Sequence, residues 1–473
     1  MQLKTSAFLM RQKETLKAII DALKNEFRFV SILGTDVFGT SYSVMTSGIH
    51  VRPSPATERG FVLRVMQDTG FSEYSFNVVD SDHVCRRMRE IAGEDRARFL
   101  KTHPAVVYDR APADESKTLV HIGEAEILPG EEDPEAILAE LTDVHDRVKE
   151  KYAQVVQVMA AIEVTQVNKM FLSPNRDLYQ SYAYANVTAM AAASDGQSVK
   201  TDYLTKSGTG GAEWLKGIEP IAEEAARRAE ELLKSEKIDP GTYDIICTPD
   251  FTGLIAHEAF GHGAEMDMFV KQRAKGAEYF NKRIASDAVT MHDGAASCDE
   301  VASYAFDDEG NLACDTVIID SGIFVQGMCD ELSALLLDIK PTGNGRRDSW
   351  KRKAYTRMTN TFFAPGDNSL DEMIRGIDHG YILEGATSGM EDPKNWGIQC
   401  VATKGREIVD GRLTGRIVSP VYLTGYVPDL LASITASSPD LKLSGAGYCG
   451  KGWKEWVKVS TGGSHIKAKG ILN

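Results

Sequence analysis

Residues Tyr243–Phe269 read YDIICTPDFTGLIAHEAFGHGAEMDMF. Tyr243 to Cys247 reads as a strand. Thr248 stands where an N-cap belongs, Pro249 suits the first helical position, and Asp250 suits the positive end of the helix dipole. The helix that follows carries His257-Glu258-Ala259-Phe260-Gly261-His262, then Glu265 and Asp267. Just upstream, Asp239-Pro240-Gly241 stops an earlier helix, and the main division of the chain is expected there. The expected fold class is α+β. Residues 1–238 form an N-terminal mixed α/β domain with a long β-hairpin, and residues 239–473 form a C-terminal β-rich domain carrying one metal-binding helix.

Upstream, Leu16, Ile19, Ile20 and Leu23 repeat at helical spacing. Short strands are expected over Phe27 to Leu33, Ser41 to Thr46, Phe61 to Met66 and Phe71 to Val79, then a helix around Val84, Met88 and Ile91. Asp133-Pro134 is a helix start, and a sub-boundary near 125–133 is consistent with it. From Tyr152 the period switches to two, with Val158, Ala160, Ile162 and Val164 on one face. Ser173 to Asp177 reads as a turn, with a strand returning from Leu178 to about Ala192, and Asp195-Gly196 signals a second hairpin. A Gly-rich loop, Ser207 to Gly211, precedes a helix faced by Ile218, Ile221, Ala222, Ala225, Ala229 and Leu232. Downstream of the histidine helix, Gly-punctuated short apolar runs predict strands and no second clear helix.

Apolar residues are 42% and charged residues 26% of the 473, as in ordinary globular proteins. The net charge of −15 argues against general nucleic-acid binding. No apolar run approaches the ~18 residues of a spanning helix. The seven cysteines are spread without a CxxC pair, which suggests a reduced, cytoplasmic protein with no membrane association.

Two imidazoles near one another suit Zn²⁺, and a Glu beside the first can exchange protons with water without ligating the ion. The familiar spacing is H-E-x-x-H; here His257 and His262 lie at i and i+5. On a regular α-helix that separates them by about 140°. The helix is therefore expected to widen or end around Phe260-Gly261-His262, with Gly261 permitting it. The competing reading is two unrelated histidines on a partly buried helix. A third ligand must come from elsewhere: His292, His379, His465, a carboxylate or a cysteine, with Cys449 prominent in Gly447-Tyr448-Cys449-Gly450. Glu265, three residues beyond His262, is a candidate to fix that imidazole's tautomer.

The sequence resembles the TldD/PmbA family, once called modulators of DNA gyrase, over most of its length. The resemblance is carried by HEAFGHGAEMD (His257 to Asp267), FDDEG (Phe306 to Gly310), PTGNGRR (Pro341 to Arg347), RMTNT (Arg357 to Thr361), DLKL (Asp440 to Leu443) and Cys449-Gly450-Lys451. The metal motif matches the TldD-like, catalytic branch. The resemblance implies that His257, His262 and Cys449 bind one zinc ion per active subunit, with Glu258 as general base. It also implies a dimer, with a TldE/PmbA-like subunit or with itself, acting on short, unfolded or leader peptides. The tail Lys451-Gly452-Trp453-Lys454-Glu455-Trp456 is more aromatic than the family pattern.

Two further blocks carry candidate residues. Asn344 and Arg346 are candidates for clamping a peptide, against a plain structural turn. Phe306 to Gly310 reads as a charged turn, since it lacks calcium-loop spacing. The expected function is a zinc-dependent peptidase; the alternative is a regulatory binding protein with a purely structural metal.

Overall fold

The long hairpin forms, and it sets the frame for the N-terminal half. In the computed structural model, which describes residues 1–112, 114–453 and 455–473, strands Val155–Leu172 and Arg176–Ser194 pair antiparallel over their whole length. Val158, Ala160, Ile162 and Val164 are buried, packed against the helices Pro134–Lys151 and Ile218–Leu232. Asp133 caps the first of these helices, accepting from the backbone N–H groups of Glu135 and Ala136. The hairpin is the middle of an eight-stranded sheet, antiparallel except that Lys117–Ile122 runs parallel to Arg176–Ser194. Helices Ala7–Leu23 and Ser81–Phe99 close a second core against its other strands, burying Leu16, Ile19, Ile20, Val84 and Met88.

Two details differ from the sequence reading. Phe29–Met45 is one strand, not two. Gly39, within it, lies against the neighbouring strand: a Cβ there would lie 2.2 Å from the Val164 carbonyl oxygen. The expected loop over 207–211 is mostly strand, since Val199–Thr209 continues the sheet.

In the C-terminal half, Gly241–Cys247 lies between His379–Glu391, to which it is parallel, and Ile466–Leu472, to which it is antiparallel. Val421–Tyr426 and Gly397–Val409 complete the circuit back to His379–Glu391, closing a small five-stranded barrel. A six-stranded sheet from residues 291–463 lies beside it. The histidine helix leaves the barrel strand at Cys247 and packs between the barrel strand His379–Glu391 and the sheet strand Ser460–Gly463. The mixed α+β class is as expected, but this half also holds short helices at Glu331–Leu337, Leu370–Arg375 and Val427–Ala432. At six or seven residues they are too short to show a periodic apolar face.

The charged turn at 306–310 is not a solvated one. Asp307, Asp308 and Glu309 are buried, and Glu309 and Asp308 pair with Arg64 and Lys169 of the N-terminal sheet. Arg347 reaches the same sheet through two bonds to Glu73, at 2.6 and 2.9 Å. These paired charges hold the two halves of the chain together and bring the C-terminal loops against the sheet.

Candidate metal centre

The helix begins at Pro249 after Thr248. Thr248 occupies the cap position but makes no side-chain cap bond. Its hydroxyl lies 2.5 Å from Asp250 Oδ1 and 2.9 Å from the Leu383 carbonyl oxygen, and its backbone N–H donates to that carbonyl at 3.0 Å, which ties the helix start to the barrel. Residues Pro249–Ile255 are α-helical, Ala256–Gly261 form a π-helical turn, and His262–Ala264 a 3₁₀ turn. The widened turn is closed by the bond from His262 N–H to His257 C=O, which spans five residues. One extra residue per turn brings the i and i+5 side chains onto one face. The two imidazoles meet edge to face, with ring centroids 5.1 Å apart.

Gly261 contributes differently from the expectation. Its φ of −55° and ψ of −54° are ordinary helical values. What excludes a side chain is space: a Cβ would lie 2.3 Å from Met358 Sδ.

Cys449 arrives from the hairpin Tyr448–Lys451/Glu455–Lys458. Its Sγ is 3.7 Å from His262 Nε2, and the ligand atoms of His257, His262 and Cys449 all lie within 4.8 Å of one another. Among the described residues these form the one His/Cys/Asp/Glu group with that geometry. Burial alone would raise the Cys449 thiol pKa, but the imidazoles of His257 and His262 outweigh it and hold it well below its ordinary value. Burial would lower the His262 pKa; the Cys449 thiolate and Glu265 raise it well above the usual value. The other histidine candidates lie elsewhere: His292 bonds Asp315, His379 pairs with Glu407, and His465 pairs with Asp440.

Glu265 is buried and sits 3.1 Å from His262 Nδ1. Burial raises its pKa, but Lys451 and His262 outweigh that and take it to about 2. A carboxylate only accepts, so His262 Nδ1 carries the proton and Nε2 is left facing Cys449. Lys451 Nζ bridges Glu265 at 3.1 Å and Asp267 at 2.7 Å. Arg357 donates to the Cys449 carbonyl at 2.5 Å. Lys451 and Arg357 fall in blocks singled out above, but nothing in the sequence indicates that they fix the ligand-bearing hairpin.

His257, Glu258, His262 and Cys449 line a cavity of about 870 Å³. Trp453 and Trp456, 82% and 53% exposed, stand on its rim, while Lys454 lies outside the described residues. Asn344 and Arg346 are not brought to this cavity. The Asn344 amide is fully buried and donates to Asp293 and the Arg357 carbonyl. Arg346 donates to the carbonyls of Met358 and Lys458, and lines a separate cavity of about 660 Å³.

Two imidazoles and a thiolate whose ligand atoms lie within 4.8 Å of one another form a candidate metal site of the kind that suits zinc. Residues 240–471 match the PmbA/TldA metallopeptidase C-terminal domain. The chain belongs to the TldD/PmbA metallopeptidase family. It is 33% identical over 284 residues to a metalloprotease of Methanothermobacter thermautotrophicus, covering 60% of this chain and 62% of that one. It is 28% identical over 303 residues to the zinc metalloprotease TldD homolog of Saccharolobus solfataricus, covering 63% and 67%. The match thus spans about two thirds or less of the length of these relatives. In fold the chain is similar to a protein of Thermotoga maritima described as a modulator of a DNA gyrase, at TM-score 0.77 and 17% identity, covering 98% of this chain and 100% of that one. It is likewise similar to TldE from Thermococcus kodakarensis, at 0.76 and 17%, covering 97% and 99%.

Proposed function

We propose that the chain is a zinc-dependent peptidase acting on short or unfolded peptides or peptide leaders. The observation that carries this reading is the π-turn that brings His257 and His262 to Cys449, with Glu258 lining the same cavity. The residues fit zinc: the thiol is poised as a thiolate, His257 Nδ1 is buried without a partner, and the N, N, S donor set suits a borderline-soft ion. Three ligands leave a position open for chemistry, whereas a structural site is usually closed by four.

Bound zinc supplies Lewis acidity and lowers the pKa of water. Glu258 takes the proton of the attacking water as its oxygen bonds to the scissile carbonyl carbon. It then delivers that proton to the amine nitrogen as the C–N bond breaks. Glu265 accepts from His262 Nδ1, so the proton that zinc would displace from the ring is the one on Nε2. The family resemblance implies a dimer as the working form, with a TldE-like subunit or a second copy of this chain. Among the described residues no helix is long and apolar enough to cross a membrane.

The test is peptide cleavage by the zinc-loaded chain, alone and with a TldE-like subunit, before and after chelation. Glu258→Gln should keep the metal and lose at least about 10² in rate. Stoichiometric zinc with no chelator-sensitive cleavage in either assembly would favour the regulatory, structural-metal reading instead.

A further inference from the structure

The barrel strand His379–Glu391 ends against the histidine helix, and its last residues line the cavity. Gly389 is pressed against Glu258: a Cβ there would lie 2.4 Å from Glu258 Cγ. Glu391 is two residues further along the same strand. Side chains at i and i+2 share one face, about 6.6 Å apart. The strand therefore sets the Glu391 carboxyl beside that of Glu258, on the side of the cavity that faces His262. From the other side, a Cβ on Gly263 would lie 2.9 Å from Glu391 Oε1, so the carboxyl also abuts the turn following His262.

Neither oxygen of this carboxyl has a hydrogen-bond partner among the described residues. The neighbouring acids are already engaged. Glu265 is held by His262 and Lys451, Asp267 is held by Lys451 and Lys271, and Glu258 is the proposed base. Burial pushes Glu391 up to about 9, despite the opposing pull of His262. Trp396 Nε1, an unsatisfied donor against the same glycine, is neutral. A carboxyl at a cavity wall with no cation of its own is complementary to a cation brought by the ligand.

We infer that Glu391 anchors the free α-ammonium group of a peptide, so that the residue removed is the substrate's first. This rests on the peptidase reading of the site and deepens it by naming the substrate class. The geometry favours an α-ammonium over a lysine side chain. The scissile carbonyl carbon of a first residue lies only two bonds from its nitrogen. An anchor about 6.6 Å along the strand from the position that holds Glu258 leaves room for that short unit between anchor and base. A lysine ammonium stands several bonds further from its own carbonyl. In the bound state the ammonium donates to the Glu391 carboxylate; the proton that burial keeps on the empty carboxyl is released to solvent as the pair forms, and the charge of the carboxylate is met inside the cavity.

Three alanine-rich octapeptides test this with the full zinc-loaded chain in its active assembly: one with a free N-terminus, its N-acetylated twin, and an N-acetylated version with lysine as the first residue. The wild type should prefer the free peptide, releasing its first residue. Glu391→Gln should lower kcat/KM for that peptide by about ten- to a hundredfold. The acetylated twin should change little, and zinc content should not change. Binding of the free peptide to Glu258→Gln, measured by calorimetry, should weaken by a similar factor when Glu391→Gln is added. An unchanged ratio of free to acetylated cleavage in Glu391→Gln overturns the inference. So does preference restored by the acetylated lysine peptide, which would assign Glu391 to a side chain, and so does loss of zinc, which would make it a ligand. Cleavage of none of the three by the wild type, with Glu391-dependent binding retained, would instead refute the peptidase reading and leave the anchor standing.

Discussion

Gly261→Ala places a methyl group where the structure has no room for one. Its carbon would lie 2.3 Å from Met358 Sδ and 3.1 Å from the Ala256 carbonyl oxygen. Non-bonded contacts of this kind settle near 3.5–4.0 Å, so something must move by more than about 1 Å. Met358 is fully buried in the core that includes Phe260 and Cys449, which gives it little space to retreat. Overpacking of this kind costs about 1–3 kcal/mol, offset by the roughly 1 kcal/mol by which alanine favours a helix over glycine. The net loss of stability is therefore small, and the displacement falls on the π-turn itself. His262 is the residue after the methyl group and donates the bond that closes that turn. We expect zinc affinity to fall by about ten- to a hundredfold, the range seen when a ligand's support is disturbed. A competition titration against a chromophoric chelator measures this, with thermal unfolding alongside. Adding Met358→Ala removes the clashing sulfur and should restore zinc affinity, although stability falls by a further 2–5 kcal/mol or so. Wild-type zinc affinity in Gly261→Ala, or no recovery in the double variant, would refute the argument that space at this residue sets the ligand geometry.

Cys449→Ala should cut zinc affinity by more than the roughly hundredfold that loss of an outer partner costs, measured by the same titration. Burial first, then the Glu309 carboxylate, raises Glu331 from 4.5 to about 7. The folded state thus binds this proton more tightly than the unfolded chain. Its stabilising contribution is complete below about pH 4.5 and is lost as pH rises through about 7, roughly 3 kcal/mol in all. Glu331→Gln should flatten denaturant-derived stability across that window. Arg64→Ala leaves Glu309 buried without its charge partner and should cost about 3–5 kcal/mol in chemical denaturation, while Arg64→Met with Glu309→Gln should recover much of it.

The elements legible in the sequence are those whose signals are local. The Asp133-Pro134 helix start, the period-two run from Val158 to Val164, and the helical face from Ile218 to Leu232 are each set by neighbours in the chain. The i, i+5 histidine spacing is informative for the same reason: ~100° per residue makes a regular helix incompatible with a shared ion, so the widened turn follows from the spacing alone. What escapes depends on distant pairing. The barrel closes through the parallel contact of Gly241–Cys247 with His379–Glu391, well over a hundred residues later. The acids at 307–309 look solvated in the sequence because their partners, Lys169 and Arg64, belong to the other half of the chain. Asn344 looks available for a ligand, yet its amide is spent on Asp293 and Arg357. Glu391 carries no local signal, since its meaning comes from the strand face it shares with Gly389.

The most direct test of the central claim is the zinc K-edge X-ray absorption spectrum of the zinc-loaded full chain. The two imidazoles and one thiolate predict one sulfur scatterer at about 2.3 Å and nitrogen or oxygen scatterers at about 2.0–2.1 Å, one of them exchangeable for added ligand. The sulfur shell should vanish in any Cys449→Ala sample that still retains metal. A spectrum without sulfur, or with a closed shell that no added ligand perturbs, would contradict an open His257–His262–Cys449 centre.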